Sequence, residues 1–308
     1  MSYSPPRSTD IAEAQNSDAN LRLLVTQRRL YSCAKTWSMV RGIGVGVVAI
    51  AAPILTGVVP QAAVAVAAVA AVWFALNRLF FSFLERYFAT RGATAQEQFD
   101  TSIFGMPTIA VRNPRLMPEE IRRLTGDRVR RKKAYSDENL RNWYPIRTDV
   151  DGTLAIAISQ RANLAYAQTL LGRNAALWLV LLIVWAVIAV FIGVARSFDL
   201  LTFLLVVAVP TLPPLLDAVD EALRVRAAGK ERRALANQIE DAITTASETP
   251  ILPEQLLAWQ AQLFALRRDS PLVPDWLYWL LRPRTEDEMN DGAKTIADGV
   301  RGRKEQEQ

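Results

Sequence analysis

Residues 175–195, from Ala175 to Ala195, read AALWLVLLIVWAVIAVFIGVA, and this stretch decides the class of fold. It is 21 residues long and carries no charge. At about 1.5 Å per residue it spans the roughly 30 Å hydrocarbon core of a bilayer. A buried helix of a soluble domain seldom runs so far without a polar face. A short link, Arg196-Ser-Phe-Asp199, follows. A second uncharged stretch, Leu200 to Leu216, then adds 17 residues, enough to cross only if nearly upright. Pro210, Pro213 and Pro214 remove backbone donors from it, so a kink near its C-terminal end is expected.

An earlier block has the same form. Gly42 to Val59 is uncharged and opens on Gly42, Gly44 and Gly46. Val58-Val59-Pro60-Gln61 reads as a tight turn, and an Ala-rich apolar run then continues through Asn77 and Arg78 to Leu84. Small side chains let helix backbones approach closely, so this pair reads as built for helix–helix contact. The expected fold is a mainly α membrane protein with four transmembrane helices in two hairpins. The first hairpin takes residues 40–86, with spans at about 42–59 and 62–84; the second takes 174–219, with spans at about 175–195 and 200–217. A cytoplasmic N-terminal helix (1–39), a middle domain (87–173) and a C-terminal helical region (220–308) complete the chain. Lys and Arg number 6 in residues 1–41, 16 in 78–173 and 13 in 217–308, against 0 and 1 at the two hairpin tips. The positive-inside rule therefore places both termini and the middle segment in the cytoplasm. Met1 to Asn20 is polar and does not read as a signal peptide.

Composition narrows the chemistry. The 308 residues include 36 Lys+Arg and 31 Asp+Glu, a net charge of +5, with no His and one Cys, Cys33. Without His there is no Ser-His-Asp triad, Cys-His dyad or His metal ligand. A single Cys excludes an intrachain disulfide, a Cys-rich zinc site and an iron–sulfur cluster held by one chain. Asp149 and Asp151 are explained by turn chemistry. Cys33, among Tyr31, Ser32 and Lys35, reads as structural. Nothing amounts to an active site, so the chain is expected not to be an enzyme and to carry no metal or cofactor.

The cytoplasmic parts read as helices. Ser8 or Thr9 can cap a helix that runs through the stripe Leu21, Leu24 and Val25 into the first span. After residue 87 the pattern predicts a helix through Ala93–Phe99, a break at Phe104-Gly-Met-Pro107 and a short strand over Thr108–Val111. A helix opened by Pro118 follows, then a turn at Asp149–Gly152 and a helix over Ser159–Leu171. Residues 111–133 carry nine Lys+Arg against Glu119, Glu120 and Asp127. A solvated face, anionic-lipid contact and a phosphate-bearing ligand each fit this run, though no Gly-rich phosphate loop supports the last. Asp217 to Ala246 should continue the fourth span. Pro250 and Pro253 separate it from a helix with Leu256, Gln260, Leu263, Phe264 and Arg267 at helical spacing. Trp276, Tyr278 and Trp279 lie within four residues; docking onto the core and lying at headgroup level both account for them. The polar tail from Arg301 to Gln308 should fray.

Four stretches carry a resemblance. They are Gln15 to Lys35 (QNSDANLRLLVTQRRLYSCAK), Gln98 to Phe104 (QFDTSIF), Asn142-Trp-Tyr-Pro145 with Ser159-Gln-Arg-Ala-Asn163, and Phe264 through Leu281. With the two hairpins around a cytoplasmic insert, the chain resembles the SMODS-associating four-transmembrane (S-4TM) pore-forming effectors over most of its length. That family often has Cys before the Gln-Arg of the third stretch; Ser159 stands here, which argues against an essential thiol. The resemblance implies a role in bacterial anti-phage immunity linked to cyclic oligonucleotides, ending in loss of inner-membrane integrity.

Under that implication a sensor and a gate are needed. Arg161 and Asn163 near Trp143 and Tyr144 are the expected ligand-binding residues, since a base stacks on aromatics and a phosphate pairs with Arg. A buried polar cluster is the plain alternative. Pro210, Pro213 and Pro214 are the expected hinge. Asp217, with Asp220 and Glu221, would make an acidic mouth if subunits assembled around it, and a solvated helix start is the alternative. The expected partners are the lipid bilayer, a cyclic oligonucleotide and further copies of the chain, with no nucleic-acid polymer. A membrane-anchored enzyme using Asp100, Asp149 or Asp151, and a small-solute transporter, are the competing functions.

Overall fold

The computed structural model describes residues 3–107 and 115–306, and among them it holds eleven α-helices and no strand. The strand expected over Thr108–Val111 lies outside the described residues. Four continuous helical rods dominate. The first is α2, Asp18–Val58. The second is α3, Ala63–Leu76, which passes through a π-helical turn, Asn77–Phe81, into α4, Ser82–Ile103. The third is α7, Gly152–Ala195, preceded in the chain by α5, Pro118–Thr125, and α6, Arg128–Asp137. The fourth is α8, Leu200–Phe203, joined by a second π-helical turn, Leu204–Ala208, to α9, Val209–Thr244. The 41 residues of α2 make a rod of about 60 Å, twice the thickness of a hydrocarbon core. Each rod is thus long enough to have an apolar half and a half packed in a common body.

The rods pair as two antiparallel hairpins, α2 with α3–α4 and α7 with α8–α9. In the first, Trp73 lies so close to Gly44 that a Cβ there would sit 1.7 Å from its ring. Among the described residues, two stretches, Val64–Ile103 and Gly152–Ala195, are long and apolar enough to cross a membrane. Their most apolar windows lie on the outside of the molecule, unlike a soluble core helix, with Val190 and Phe191 bare. The prolines expected to break the fourth rod are carried inside α9, and their side chains lie outside the described residues. The π-turn comes directly before Pro210, and the Thr211 hydroxyl donates to the Val207 carbonyl at 2.6 Å.

The halves away from the apolar runs share one core. Ile11 and Leu24 pack with Phe99 and Phe104 of the α4 end, Ile156 and Ile158 of α7, and Ile239 of α9. Leu256 and Leu263 of α10, Pro253–Arg268, and Ala293 of α11, Asp275–Gln306, close it. Residues 87–173 therefore share their core with the N- and C-terminal parts.

Several helix ends differ from the sequence expectation. The N-terminal helix is two helices, α1, Ser8–Ala14, and α2, which Ser17 caps by accepting the Asn20 amide at 3.3 Å. Asn16 and Ser17 compete locally for backbone groups and so break a run that apolar spacing alone would continue. The Ser8 hydroxyl is spent on the Val150 carbonyl at 2.7 Å instead of capping. The helix feeding the third span begins at Gly152, seven residues before Ser159, because Asp151 accepts the Leu154 amide at 3.0 Å. Gly152 also lies where a Cβ would meet the Pro6 carbonyl at 1.7 Å. The helix expected from Ala93 is the continuation of α4, and it ends where Gly105 takes a φ of +62°. The C-terminal tail does not fray at Arg301: α11 continues to Gln306.

Candidate functional site

A cavity of about 440 Å³ opens in the packed body between the two hairpins. Its walls come from several parts of the chain, including Gln96 of α4 and the loop of residues 270–273 before α11. The helix α2 supplies Gln27, Arg28, Arg29, Tyr31 and Lys35, α7 supplies Asn163 and Tyr166, and α9 supplies Arg232. The end of α10 supplies Arg267, the start of α11 supplies Tyr278 and Trp279, and the loop before α7 supplies Glu138 and Trp143. The charge is one-sided. Five cations, Arg28, Arg29, Lys35, Arg232 and Arg267, face two carboxylates, Glu138 and Asp275.

Each cation is held differently. Arg28 and Arg29 share Glu138, at 3.6 and 3.3 Å, and Lys35 pairs with Asp275 at 2.6 Å. The Arg28 guanidinium also stands 5.7 Å from the Trp143 ring, 5.9 Å from Tyr278 and 5.5 Å from Trp279, a three-sided aromatic cage. Arg232 is buried and donates to the Ala228 carbonyl at 2.9 Å and the Leu266 carbonyl at 2.5 Å. Among the described residues it forms no ion pair. Burial pushes its pKa down to about 10, with the Arg267 charge adding to the effect. The guanidinium is still charged at neutral pH, so Arg232 is a desolvated cation that gains from an arriving anion. Burial also pushes the Tyr31 phenol up to about 12, partly offset by Arg267 and Arg232.

Behind the cavity lies a saturated ion pair. Asp100 is fully buried and accepts from Arg267 Nη1 at 2.5 Å, from the Tyr144 hydroxyl at 2.8 Å and from Gln260 Nε2 at 3.0 Å. Burial opposes the Arg267 charge, but Asp100 outweighs it and raises the Arg267 pKa. Burial, then Asp100, raises the Tyr144 pKa well above its usual value. Arg267 keeps its Nε turned away from any partner among the described residues, as does Gln27 with its Oε1.

The structure brings together some of the expected residues and separates others. Trp143 and Asn163 line the cavity. Tyr144 lies one layer behind it, stacked at 6.2 Å on Phe99. Arg161 is elsewhere: it pairs with Glu240 of α9 at 2.9 Å and reaches toward Gly292 of α11. Asp217 is exposed on α9, 15 residues before Arg232, about 22 Å away along the helix. Of its neighbours, Asp220 is exposed and Glu221 pairs with Arg224 at 2.9 Å. Ser159 is buried and donates to the Ala155 carbonyl at 2.7 Å, away from the cavity.

A profile of the SMODS-associating 4TM effector domain family matches residues 9–296. The chain belongs to this family. It is also similar to a probable CBASS effector molecule of Bacillus cereus (strain VD146), 24% identical over 287 residues, covering 90% of this chain and 95% of that protein. No solved structure matches. The stretches that carry the likeness are far apart in the chain, yet they meet here. Gln27, Arg28, Tyr31 and Lys35 of the first, Trp143 and Asn163 of the third, and Arg267 and Tyr278 of the fourth line the cavity, and Asp100 of the second anchors Arg267 behind it.

Proposed function

We propose that this protein is a CBASS effector, a non-enzymatic membrane protein of bacterial anti-phage immunity. A cyclic oligonucleotide binds in the cavity and the inner membrane is then permeabilised. The observation that carries the reading is the position of the cavity. An anion-seeking, aromatic-lined space is walled by α2, α7 and α9, and each of these continues into one of the apolar hairpins. Its volume falls within the usual range for small-molecule sites. Bases stack on rings such as Trp143 and Tyr278, while phosphates pair with Arg232 and Arg28.

A ligand shifts a closed–open equilibrium only by its differential affinity for the two states. Moving from 1:99 to 99:1 takes about 5.5 kcal/mol. Charge-assisted hydrogen bonds are worth about 1.5–3 kcal/mol each, so about two to four made in one state alone supply this. Both termini face the cytoplasm in this reading, and several copies assemble around the second span of the second hairpin, with Pro210, Pro213 and Pro214 as its hinge and Asp217 at its mouth.

The test is dye and ion leakage from liposomes holding the purified protein, with cyclic di- and trinucleotides added one at a time. Leakage with one messenger, lost in Arg232→Gln, is the expected result. A tight bilayer with every messenger, in protein shown to be folded and inserted, overturns the reading.

A further inference from the structure

We propose that the first two turns of α11 are a membrane anchor, with Trp276, Trp279 and Leu280 lying in the headgroup layer of the cytoplasmic leaflet. The inference rests on reading the two hairpins as membrane-spanning.

The three residues stand at i, i+3 and i+4 and so share one helix face. That face is bare: Trp276 is 58% exposed and Leu280 70%. The neighbouring residues point the other way, with Leu277 buried and Tyr278 lining the cavity. An isolated exposed apolar residue is ordinary, but two tryptophans and a leucine on one stripe call for a covering surface.

The height of this stripe in the molecule identifies what covers it. Asp275 pairs with Lys35 at 2.6 Å, seven residues before Gly42 and thus about 10 Å from the first apolar span. Val273 packs on the buried cluster of Leu171, Val225 and Ala228, as do Ala175 and Trp178, the opening residues of the third span. On α4 the same height is marked by further exposed rings. A Cβ on Gly92 would meet the Tyr31 ring at 3.1 Å, and in an antiparallel pair this places Tyr87 opposite residue 36. Tyr87 and Phe83 are both exposed. Exposed aromatic side chains on α4 and at the start of α11 therefore lie within a few turns of the apolar spans, toward the side where Trp and Tyr are favoured at a membrane–water boundary. The surrounding charge agrees. Arg284, one turn after Leu280 and paired with Glu288 at 2.9 Å, is exposed and can also meet anionic headgroups. A soluble partner would have to bind a surface hard against the bilayer, beneath the body of the protein. The same turn also walls the cavity through Tyr278 and Trp279, so it touches ligand on one side and lipid on the other.

The test uses the full chain in the Cys33→Ser background, reconstituted into phosphatidylethanolamine–phosphatidylglycerol vesicles. An environment-sensitive fluorophore is placed in turn at Leu280→Cys, Val190→Cys and Leu252→Cys. Leu252 is exposed on the far part of the body, before α10, and Val190 lies mid-span. With headgroup-level nitroxide lipid, the label at 280 should be quenched about twofold or more and its emission shifted to the blue, while the label at 252 stays aqueous. The label at 190 should be quenched by nitroxides deep in the chains. Quenching at 190 without quenching at 280 overturns the anchor alone. So does a blue-shifted label at 280 that no lipid nitroxide reaches, since a protein surface then covers it. No quenching at 190 overturns the membrane reading and the anchor with it.

Discussion

Asp100 is the residue on which the packed body depends most. Its carboxylate accepts from Arg267, Tyr144 and Gln260, which come from three different parts of the chain. Removing one partner of a buried pair leaves the other charge uncompensated, at a cost of about 3–5 kcal/mol. Asp100→Ala should destabilise the detergent-solubilised protein by that amount in chemical denaturation; a loss under about 1 kcal/mol would refute the account. Arg232 predicts a different outcome, because its charge is held by carbonyls alone. Arg232→Gln should weaken binding of the activating nucleotide by about 10- to 100-fold in calorimetry, as expected for a lost charge-assisted hydrogen bond. Arg161→Ala is the contrasting variant. It loses only a partly exposed pair with Glu240, so affinity should stay unchanged and stability fall by less than about 1 kcal/mol. The sequence placed Arg161 and Asn163 in one site, but residues two apart on a helix point about 200° apart, so only Asn163 reaches the cavity. Trp143 was legible because aromatic residues in a loop before a helix stand out locally. Arg28 and Arg232 were not, since each looks like an ordinary helix-surface residue until the segments converge, and Tyr278 stood out only as part of an aromatic cluster that docking or the headgroup layer explained equally well.

At the scale of elements, the apolar halves of the rods were readable and their ends were not. Long uncharged runs announce themselves through the cost of burying charge in lipid. Helix ends depend on single side-chain contacts: Asp151 to the Leu154 amide, Ser17 to the Asn20 amide, Gly152 against Pro6. The π-turns have no sequence period of their own and were missed, although one precedes Pro210 and the other ends where the Ser82 hydroxyl donates to the Asn77 carbonyl at 2.9 Å. The helix α9 matters most for coupling, because it carries both Asp217 and Arg232 without a break. Softening it between those points should separate sensing from opening. Arg226 and Ala227 are exposed there, and glycine costs about 1 kcal/mol per helical site. The double variant Arg226→Gly/Ala227→Gly should keep nucleotide affinity within about twofold while leakage falls sharply. Equal losses of both would mean that α9 does not transmit the signal.

At the scale of the whole molecule, the two hairpins leave the shared core in one direction, and their tips are the points farthest from it. The tips carry almost none of the Lys and Arg, whereas the body carries nearly all of them. Translocating a tip is therefore cheap and translocating the body is not. Two independent hairpins could still insert differently, one crossing and one lying on the surface, and the mildly hydrophobic first hairpin is the weaker of the two. Its cytoplasmic end has a stabilising contact of its own, an Arg41–Glu85 pair to which Asn77 is joined by a hydrogen bond from Arg41 at 3.0 Å. That pair fixes α2 against α4 at the boundary and favours insertion of the hairpin as a unit. In the Cys33→Ser background, cysteines at Gln61 and Arg196, one in each tip, should both react with a membrane-impermeant maleimide added outside spheroplasts. A cysteine at Leu252 should react only after permeabilisation. Labelling of the Arg196 site but not the Gln61 site would reduce the protein to two spans, and the first hairpin would then belong to the cytoplasmic face.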